Sequence, residues 1–398
     1  MSLEAFKEDS RKVISAMRDY PSREVTLVHH DDADGLCSAA IIKAALEREG
    51  YRIKSLCLEK AYPEVLESLH KVSGGIIIYA DIGSAHADMI SRFNEGRNLT
   101  VILDHHNPKP AGDQMVHDLN LENYGFRGEE DFSGSTCCYL FSKLLNEENA
   151  TLSYLALVGS HEIPVGIKGL NKLVLEEALN DGVVEAKRNK LRIKRFGIAI
   201  DRMFSMLQVL GSVGYYTGGP EAGIKACLEG ISDTTKRMVQ VLEERRKSIN
   251  RRVLGMLYRR RLRETEHIQW FDVGDMYRGM GSKVIGQFCS FLSYQRKLIK
   301  QNKYIIGVMN LQNDIPGWGR LSGTLAKASI RAPKALRQMI DEGEVPSAVD
   351  LLTEASKGFG VADGHEYAAN VVMPRNMKVE LIERAEEVVS NFRTTSQP

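Results

Sequence analysis

Carboxylate and imidazole side chains follow three short apolar segments in roughly the first quarter of the chain. They lie in HHDDADG, YADIG and LDHH, and comprise His29, His30, Asp32, Asp34, Asp81, Asp104, His105 and His106. So many carboxylates in one place would repel one another, and divalent cations remove that repulsion. Mixed carboxylate and imidazole ligands suit Mn²⁺, Zn²⁺ or Co²⁺ better than Ca²⁺. No cysteine accompanies them, which argues against a closed structural zinc site. The number of ligands is sufficient for two metal ions, the usual arrangement for phosphoester hydrolysis.

The elements that must bring these residues together alternate between strand and helix. Apolar patterning predicts strands at 25–30, 53–58, 74–83 and 99–106, and helices at 38–50, 62–72 and 86–96. Continuous apolar strands separated by amphipathic helices predict a parallel sheet buried on both faces, with ligands beyond the carboxyl ends of its strands. Asp32 and Asp34 would point the same way if this segment were extended. Gly35 would then allow a sharp turn into the next helix.

Composition narrows the class of protein. The chain has 398 residues, 43% hydrophobic and 26% charged, which predicts two folded domains. The net charge of +1 does not point to a nucleic-acid or membrane partner. No apolar run is long enough for a membrane span, and the N-terminus does not resemble a signal peptide. Six scattered cysteines fit reduced thiols, so we expect a cytoplasmic protein without a membrane partner.

The order and spacing of DDADG, YADIG and LDHHNP resemble motifs I to III of the DHH phosphoesterase superfamily. Residues 122–141 resemble the segment after motif III in archaeal RecJ-like nucleases, a group that includes the GINS-associated nuclease. KASIRAP (327–333) and DGHEYAAN (363–370) resemble phosphate-contacting segments of the DHHA1 domain, the second of them a loop. The resemblance implies an N-terminal DHH domain (1–170) with a parallel sheet flanked by helices, a helical linker (171–264) and a smaller α/β DHHA1 domain (265–398).

The resemblance also implies roles for individual residues. The implied metal ligands are Asp32, Asp34, Asp81 and His105, with His30 next to the first metal. Asp104 would orient a neighbouring ligand or histidine, and His106 would contact the scissile phosphate or protonate the leaving oxygen. A substrate phosphate would be held by Ser329, Arg331, the backbone of Gly364 and the ring of His365. The implied cofactor is a pair of Mn²⁺ ions, with Mg²⁺ or Co²⁺ as alternatives.

Two departures from the family pattern bear on activity. The fourth motif places an aspartate after motif III, but the matching stretch at 154–166 has none, and only His161 and Glu162 could replace it. Asp363 stands where the family has glycine, and brings negative charge to a phosphate-binding segment. With both changes, an impaired active site is an alternative to an active one.

Three functions are consistent with these features. The first is a Mn²⁺-dependent, RecJ-like exonuclease that releases nucleotides from single-stranded DNA or RNA. The second is a catalytically weak replisome scaffold that binds GINS. The third is an oligoribonuclease or cyclic-dinucleotide phosphodiesterase. The basic segment at 236–264 is either a phosphate-tracking surface or a solvated helix face. A homodimer is a further option.

Overall fold

The computed structural model describes residues 2–128, 130–163, 165–187 and 189–395. The chain forms two compact units. Unit 1 contains the residues up to Gln240 together with Pro316–Gly319, and unit 2 contains Val241–Ile315 and the residues from Arg320 onward. The division into three functional parts stays a prediction.

The core of unit 1 is a five-stranded parallel sheet, as the sequence predicts. Its strands are β1 (Glu24–His30), β2 (Arg52–Leu58), β3 (Ile76–Ala80), β4 (Leu99–Leu103) and β5 (Val116–Asp118). They lie in the order β2-β1-β3-β4-β5, with every pair parallel. Strands β3 and β4 read IIIYA and LTVIL and are buried along their whole length, because helices cover both faces of the sheet.

Nine helices lie within the described part of unit 1. They are α1 (Leu3–Asp19), α2 (Ala33–Arg48), α3 (Pro63–His70), α4 (Ala87–Asn94), α5 (Gly134–Leu145), α6 (Ser153–Gly159), α7 (Gly169–Asn180), α8 (Ile200–Gln208) and α9 (Gly219–Glu229). Helix α2 begins five residues earlier than predicted, because Asp32 caps it and its Oδ1 accepts from the Gly35 amide at 2.9 Å. Asp34 is therefore helical, and an extended Asp32–Asp34 segment is wrong. Helix α10 (Asp233–Arg260) continues the chain into unit 2.

A small antiparallel sheet lies in a region that the sequence pattern assigns mostly to helix. Its strands are β6 (Val184–Lys187), β7 (Lys190–Ile193) and β8 (Ile198–Ala199). These strands have two to four residues each, and β7 alternates basic and apolar residues, so no apolar run marks them. Helix α8, which follows directly, continues into a π-helical turn at Val209–Val213.

Unit 2 is an α/β domain with a mixed sheet. The sheet contains β9 (Arg263–Glu264), β10 (Ile268–Asp272), β11 (Tyr304–Asn310), β14 (Leu325–Arg331), β15 (Val361–His365) and β16 (Ala368–Pro374), in the order β15-β16-β14-β11-β10-β9. The remaining elements are the short strands β12 (Asp314–Ile315) and β13 (Gly319–Arg320), and the helices α11 (Lys283–Leu292), α12 (Lys334–Asp341), α13 (Ala348–Ala355) and α14 (Lys378–Thr395). The core packs Ile306, Val308 and Ile330 from the sheet with Leu351 and Leu381 from the helices. The expected DGHEYAAN loop is instead the hairpin of β15 and β16.

Candidate metal centre

The first part of the site lies where β1 meets α2. His30 ends β1, and its Nδ1 lies 2.9 Å from Asp32 Oδ2 and 3.6 Å from Asp81 Oδ2. Gly35 packs tightly beneath it, because a Cβ there would stand 2.5 Å from the His30 carbonyl oxygen. The tight turn into α2 therefore holds one imidazole and one carboxylate close together at the carboxyl end of the sheet.

Asp81 occupies the centre of the site. It follows β3 with a left-handed φ of 61°, a conformation that is strained for a residue other than glycine. Its Oδ1 lies 3.3 Å from His105 Nε2, while its Oδ2 faces His30. The side chain is buried, and no donor among the described residues hydrogen-bonds to either oxygen. Burial, and then the charges of Asp34 and Asp32, raise the pKa of Asp81 well above its usual value.

Asp104 follows β4 and fixes the third part of the site. Its Oδ1 contacts His106 Nδ1 at 2.6 Å and accepts from the His105 amide at 2.8 Å, and its Oδ2 accepts from the Ser84 amide at 2.9 Å. Burial alone would raise the pKa of Asp104, but the charge and hydrogen bond of His106 hold it below its usual range. Asp104 therefore orients the ring of His106.

A second carboxylate lies behind Asp104. The Ser84 hydroxyl donates to Asp118 Oδ1 at 2.8 Å, so that Ser84 connects Asp104 to Asp118. Burial raises the pKa of Asp118 to about 6. Neither residue was predicted from the sequence, because Ser84 is neither a carboxylate nor an imidazole and no strand was predicted at Asp118.

Asp34 lies in the first turn of α2, and its partners differ from those of Asp32. Its two oxygens accept from the backbone amides of Gly134 and Ser135, at 2.8 and 3.0 Å. These amides begin α5, where the helix dipole favours negative charge. Asp34 Oδ2 also lies 3.9 Å from His105 Nε2. Asp34 is thus held on the His105 side of the centre.

Two glycines allow these carboxylates to approach. A Cβ at Gly134 would stand 2.1 Å from Asp81 Oδ1, and one at Gly159 would stand 2.1 Å from Asp34 Oδ1. Side-chain carbons essentially never approach other atoms below 3.0 Å. Gly134 and Gly159 were not predicted as site positions from the sequence. Their only trace in the sequence is a glycine just inside the first turn of α5 and another at the end of α6.

The ligand atoms form two groups that share Asp81. One group contains His30, Asp32 and Asp81, and the other contains Asp81, Asp104, His105 and His106. Within each group the atoms that could bind a metal lie within 4.8 Å of one another. A buried carboxylate without hydrogen-bond donors, shared by two groups of nitrogen and oxygen ligands, fits a divalent metal site.

The two candidate replacements for the fourth-motif aspartate lie outside these groups. His161 and Glu162 are exposed on a short turn after α6. The ring of His161 packs edge-on against Phe204, with centroids 5.0 Å apart, and Glu162 Oε2 accepts from Gln208 Nε2 at 3.1 Å. Glu162 is close enough for its charge to contribute to the raised pKa of Asp81. Glu129 and Pro164, within the two segments compared above, lie outside the described residues.

The predicted phosphate-binding residues lie together in unit 2. Ser329 and Arg331 share one face of β14, and Arg331 Nε donates to Ser290 Oγ at 2.8 Å. The Ser329 hydroxyl is buried without a hydrogen-bond partner among the described residues. Gly286 on α11 leaves room, because a Cβ there would stand 2.8 Å from Arg331 Nη2. Both polar groups therefore share a space that a larger residue on α11 would fill.

Strand register brings the hairpin residues alongside. Arg331 pairs with Ala368, which in turn pairs with His365, and Gly364 is next to His365 on β15 with a φ of 137°. His365 is exposed. Asp363 pairs with Asn370, whose side-chain amide donates to the Asp363 carboxylate. That hydrogen bond engages the negative charge that the sequence places in this segment.

Comparisons with known proteins agree with this architecture. Residues 24–159 match the family described as DHH family, N-terminal domain. An uncharacterized protein of Methanocaldococcus jannaschii is 30% identical over 167 residues, which cover 39% of this chain and 36% of that protein. The crystal structure of Thermus thermophilus RecJ in complex with Mn²⁺ is similar with a TM-score of 0.66 at 17% identity, over 98% of this chain and 55% of that chain. The crystal structure of CDC45 from Entamoeba histolytica is similar with a TM-score of 0.55 at 9% identity, over 97% of this chain and 99% of that chain.

The two structural likenesses establish the fold, since both fall at low sequence identity. The chain spans about half of the Thermus RecJ chain, and its match to the Methanocaldococcus protein covers about a third of that relative. Among the described residues, no helix combines the length and the apolar character that crossing a membrane requires.

Proposed function

We propose that this chain, whose residues 24–159 match the DHH family, N-terminal domain, and whose fold is similar to that of RecJ, is a metal-dependent phosphoesterase that cleaves phosphodiester bonds of single-stranded DNA or RNA. The observation that carries the proposal is the position of Asp81. Its carboxylate is buried between two imidazoles and accepts no hydrogen bond from any residue that the structure describes. Such a group becomes stably ionised when cations lie beside it.

The proposed ligands would hold metal ions at two positions. His30 and Asp32 would hold one ion, Asp34 and His105 the other, and Asp81 would contact both. When bound, two divalent cations lower the pKa of water and neutralise charge on the phosphate oxygens. We propose Mn²⁺ as the resident ion because nitrogen and oxygen ligands are mixed, with Mg²⁺ or Co²⁺ as alternatives.

His106 would act on the leaving oxygen. Its Nδ1 faces the Asp104 carboxylate, so that nitrogen carries a proton and Nε2 is directed away from Asp104. The His106 side chain is 41% exposed, which leaves it accessible to a substrate. Asp104 would stabilise the protonated ring before the proton is transferred to the leaving oxygen.

The unit 2 residues would hold a phosphate of the substrate. Arg331 offers a planar, permanently charged group that suits phosphate, and Ser329 offers a buried hydroxyl beside it. The Gly364 backbone and the His365 ring would complete this contact. Arg331→Lys retains the charge but loses the forked donors, so we expect weaker substrate binding with an unchanged affinity for metal.

The test compares wild type with Asp81→Asn. Wild type is expected to release mononucleotides from a labelled single strand in Mn²⁺, and the variant to lose at least about 1000-fold in rate, because a ligand shared by both ions is removed. Asp181→Asn, at an exposed position on the C-terminal end of α7, is the matched control and should behave as wild type. A loss below about tenfold in Asp81→Asn would count decisively against the proposal.

Protein stability separates loss of chemistry from loss of fold. Asn carries no buried negative charge, so in EDTA the Asp81→Asn variant is expected to unfold at a temperature no lower than wild type. Mn²⁺ should raise the unfolding temperature of wild type and leave that of the variant unchanged.

A second candidate is a catalytically weak replisome component that binds GINS or a similar partner. It is favoured by the exposed positions of His161 and Glu162, neither of which joins a ligand group among the described residues. Calorimetric titration with Mn²⁺ discriminates the two. Two tight sites support the enzyme, and the absence of binding supports the scaffold.

A substrate length series, from dinucleotides and cyclic dinucleotides to long strands, would separate an oligoribonuclease from an exonuclease. Sedimentation would test for a homodimer.

A further inference from the structure

The small sheet of unit 1 concentrates positive charge that the whole chain lacks. Six of the nine residues 187–195 are lysine or arginine, whereas the net charge of the complete chain is only +1. Strands β6 to β8 contain one carboxylate, Glu185. Arg188 lies outside the described residues. Solubility of an exposed strand does not require so many lysine and arginine side chains in a row. Such a cluster of positive charge favours binding of an anionic ligand.

Strand register places this charge on one face. Lys190 and Arg192 alternate along β7 with Leu191 and Ile193, and Ile193 is fully buried against the core. Lys187 lies directly opposite Lys190 in the register. Like charges directly across two strands destabilise a sheet, and an anion bound between them would relieve the repulsion.

A cavity of about 410 Å³ opens beside this face. Four cations line it: Lys190, Arg192, Arg202 and Lys236. Its apolar surface comes from side chains that include Phe196, Met206 and Ile231. The volume is in the range of pockets that hold small ligands or single nucleotide units. All of these residues belong to unit 1.

Not all of the cavity's positive charge is balanced internally. Lys190 pairs with Asp201 at 2.6 Å, Lys236 pairs with Asp233 at 2.9 Å, and Arg192 donates to the Gly197 carbonyl. Arg202, in contrast, is exposed and forms no ion pair with any described residue. The N-terminus of helix α8 also lies at the cavity, where the Arg202 amide donates to the Asp201 carboxylate at 2.8 Å, so the remaining positive charge comes from the side chains.

Helix α8 connects this cavity to the neighbourhood of the metal centre. Its first residues line the cavity, and Gln208 at its other end hydrogen-bonds to Glu162, whose charge reaches Asp81. Nine helical residues span about 13 Å. That length corresponds to about four phosphate spacings of a stacked single strand.

We propose that this cavity binds the phosphodiester backbone of a single-stranded nucleic acid at a point several nucleotides from the scissile bond. The inference takes its substrate class, single-stranded nucleic acid, from the proposed function. Binding at the cavity does not depend on hydrolysis at the metal centre. It adds a substrate-length requirement: strands long enough to reach the cavity bind more tightly than dinucleotides, which occupy only the metal centre.

The experiment measures binding in EDTA, where no hydrolysis occurs. The variant is Arg202→Gln/Lys236→Gln, and the matched control is Lys71→Gln/Arg92→Gln, which removes two exposed cations of the same unit, one directly after α3 and one in α4. Fluorescence anisotropy with a labelled long single strand gives the affinity at several salt concentrations. We expect about a tenfold loss of affinity, and a salt slope smaller by about 1.4, because each lost phosphate contact removes about 0.7. The control should match wild type.

Hydrolysis in Mn²⁺ then separates this inference from the proposed function. KM for the long strand should rise in the variant, while cleavage of a dinucleotide stays at the wild-type rate. An unchanged affinity and salt slope, or an equal loss for dinucleotide and long strand, would overturn the cavity as a binding site. If wild type cleaves nothing but the variant still loses binding, the proposed phosphoesterase fails and the binding site stands.

Discussion

Gly134→Ala is the most informative single substitution, because it adds one methyl group at the centre of the site. Gly134 begins α5, and a Cβ there would stand 2.1 Å from Asp81 Oδ1. Since real Cβ contacts essentially never fall below 3.0 Å, the two atoms must separate by about 1 Å. The start of α5 is not free to move, because the Gly134 amide donates to Asp34 Oδ2 at 2.8 Å. Either movement displaces a proposed metal ligand.

The expected size of the effect follows from that displacement. A misplacement of about 1 Å costs about 100-fold in rate in well-positioned sites, and altered support of a ligand costs about 10- to 100-fold in metal affinity. We expect both losses in Gly134→Ala. The stability of the folded state should change little, since alanine favours a helix by up to about 1 kcal/mol and the strain opposes it. Function is therefore lost without unfolding.

Calorimetric Mn²⁺ titration and single-strand cleavage measure the two losses, and thermal unfolding monitors the fold. Gly255→Ala is the control, because Gly255 also lies in a helix, α10, and nothing stands within 4 Å of its added Cβ. It should keep full metal affinity and rate. If Gly134→Ala binds Mn²⁺ and cleaves within threefold of wild type, the close approach of α5 to Asp81 does not matter for function and the argument is wrong.

Two further predictions concern the carboxylates behind His106. In metal-free protein the pKa of Asp118 is about 6, above the value of roughly 3.9 in an unfolded chain, so its contribution to stability is present below about pH 4 and is lost as the pH rises to about 6. The free energy of unfolding should fall by on the order of 3 kcal/mol over this pH range. Urea unfolding in EDTA should show this fall in wild type and not in Asp118→Asn. Identical pH profiles of the unfolding free energy in the two proteins would refute the prediction. Asp104→Asn should slow cleavage about 10- to 100-fold while Mn²⁺ affinity changes far less, because Asp104 orients His106. An equal fall in both quantities would instead make Asp104 a metal ligand.

The strand-end clusters could be predicted from the sequence because each one is visible in a few consecutive residues. An apolar run followed by DDADG, YADIG or LDHH predicts a buried parallel strand with polar groups at its carboxyl end, and the sheet has that form. The family resemblance added a smaller α/β domain after the first, and the second unit is α/β. Roles assigned to individual ligands stay predictions.

Other features depend on contacts between distant residues and carry no local pattern. The direction of Asp34 follows from amides 100 and 101 residues further along the chain. The close approach of Gly159 to the Asp34 carboxylate depends on packing between α6 and α2. A glycine in the sequence does not by itself predict that packing. The β6–β8 sheet was not predicted because its strands have only four, four and two residues, too few to show a periodic pattern. For DGHEYAAN, the family resemblance implied a loop, whereas the segment forms a hairpin.

The amides that hold Asp34 also set an order of events during protein synthesis. Asp34 leaves the ribosome long before Gly134 and Ser135, so the nascent chain lacks the partners that hold this carboxylate until α5 has emerged and packed. Loop closure over such a separation comes late in folding. The carboxylates of the first strand end therefore lack their native geometry during most of the translation of the first unit, and we expect the proposed metal ions to bind only after this unit has folded.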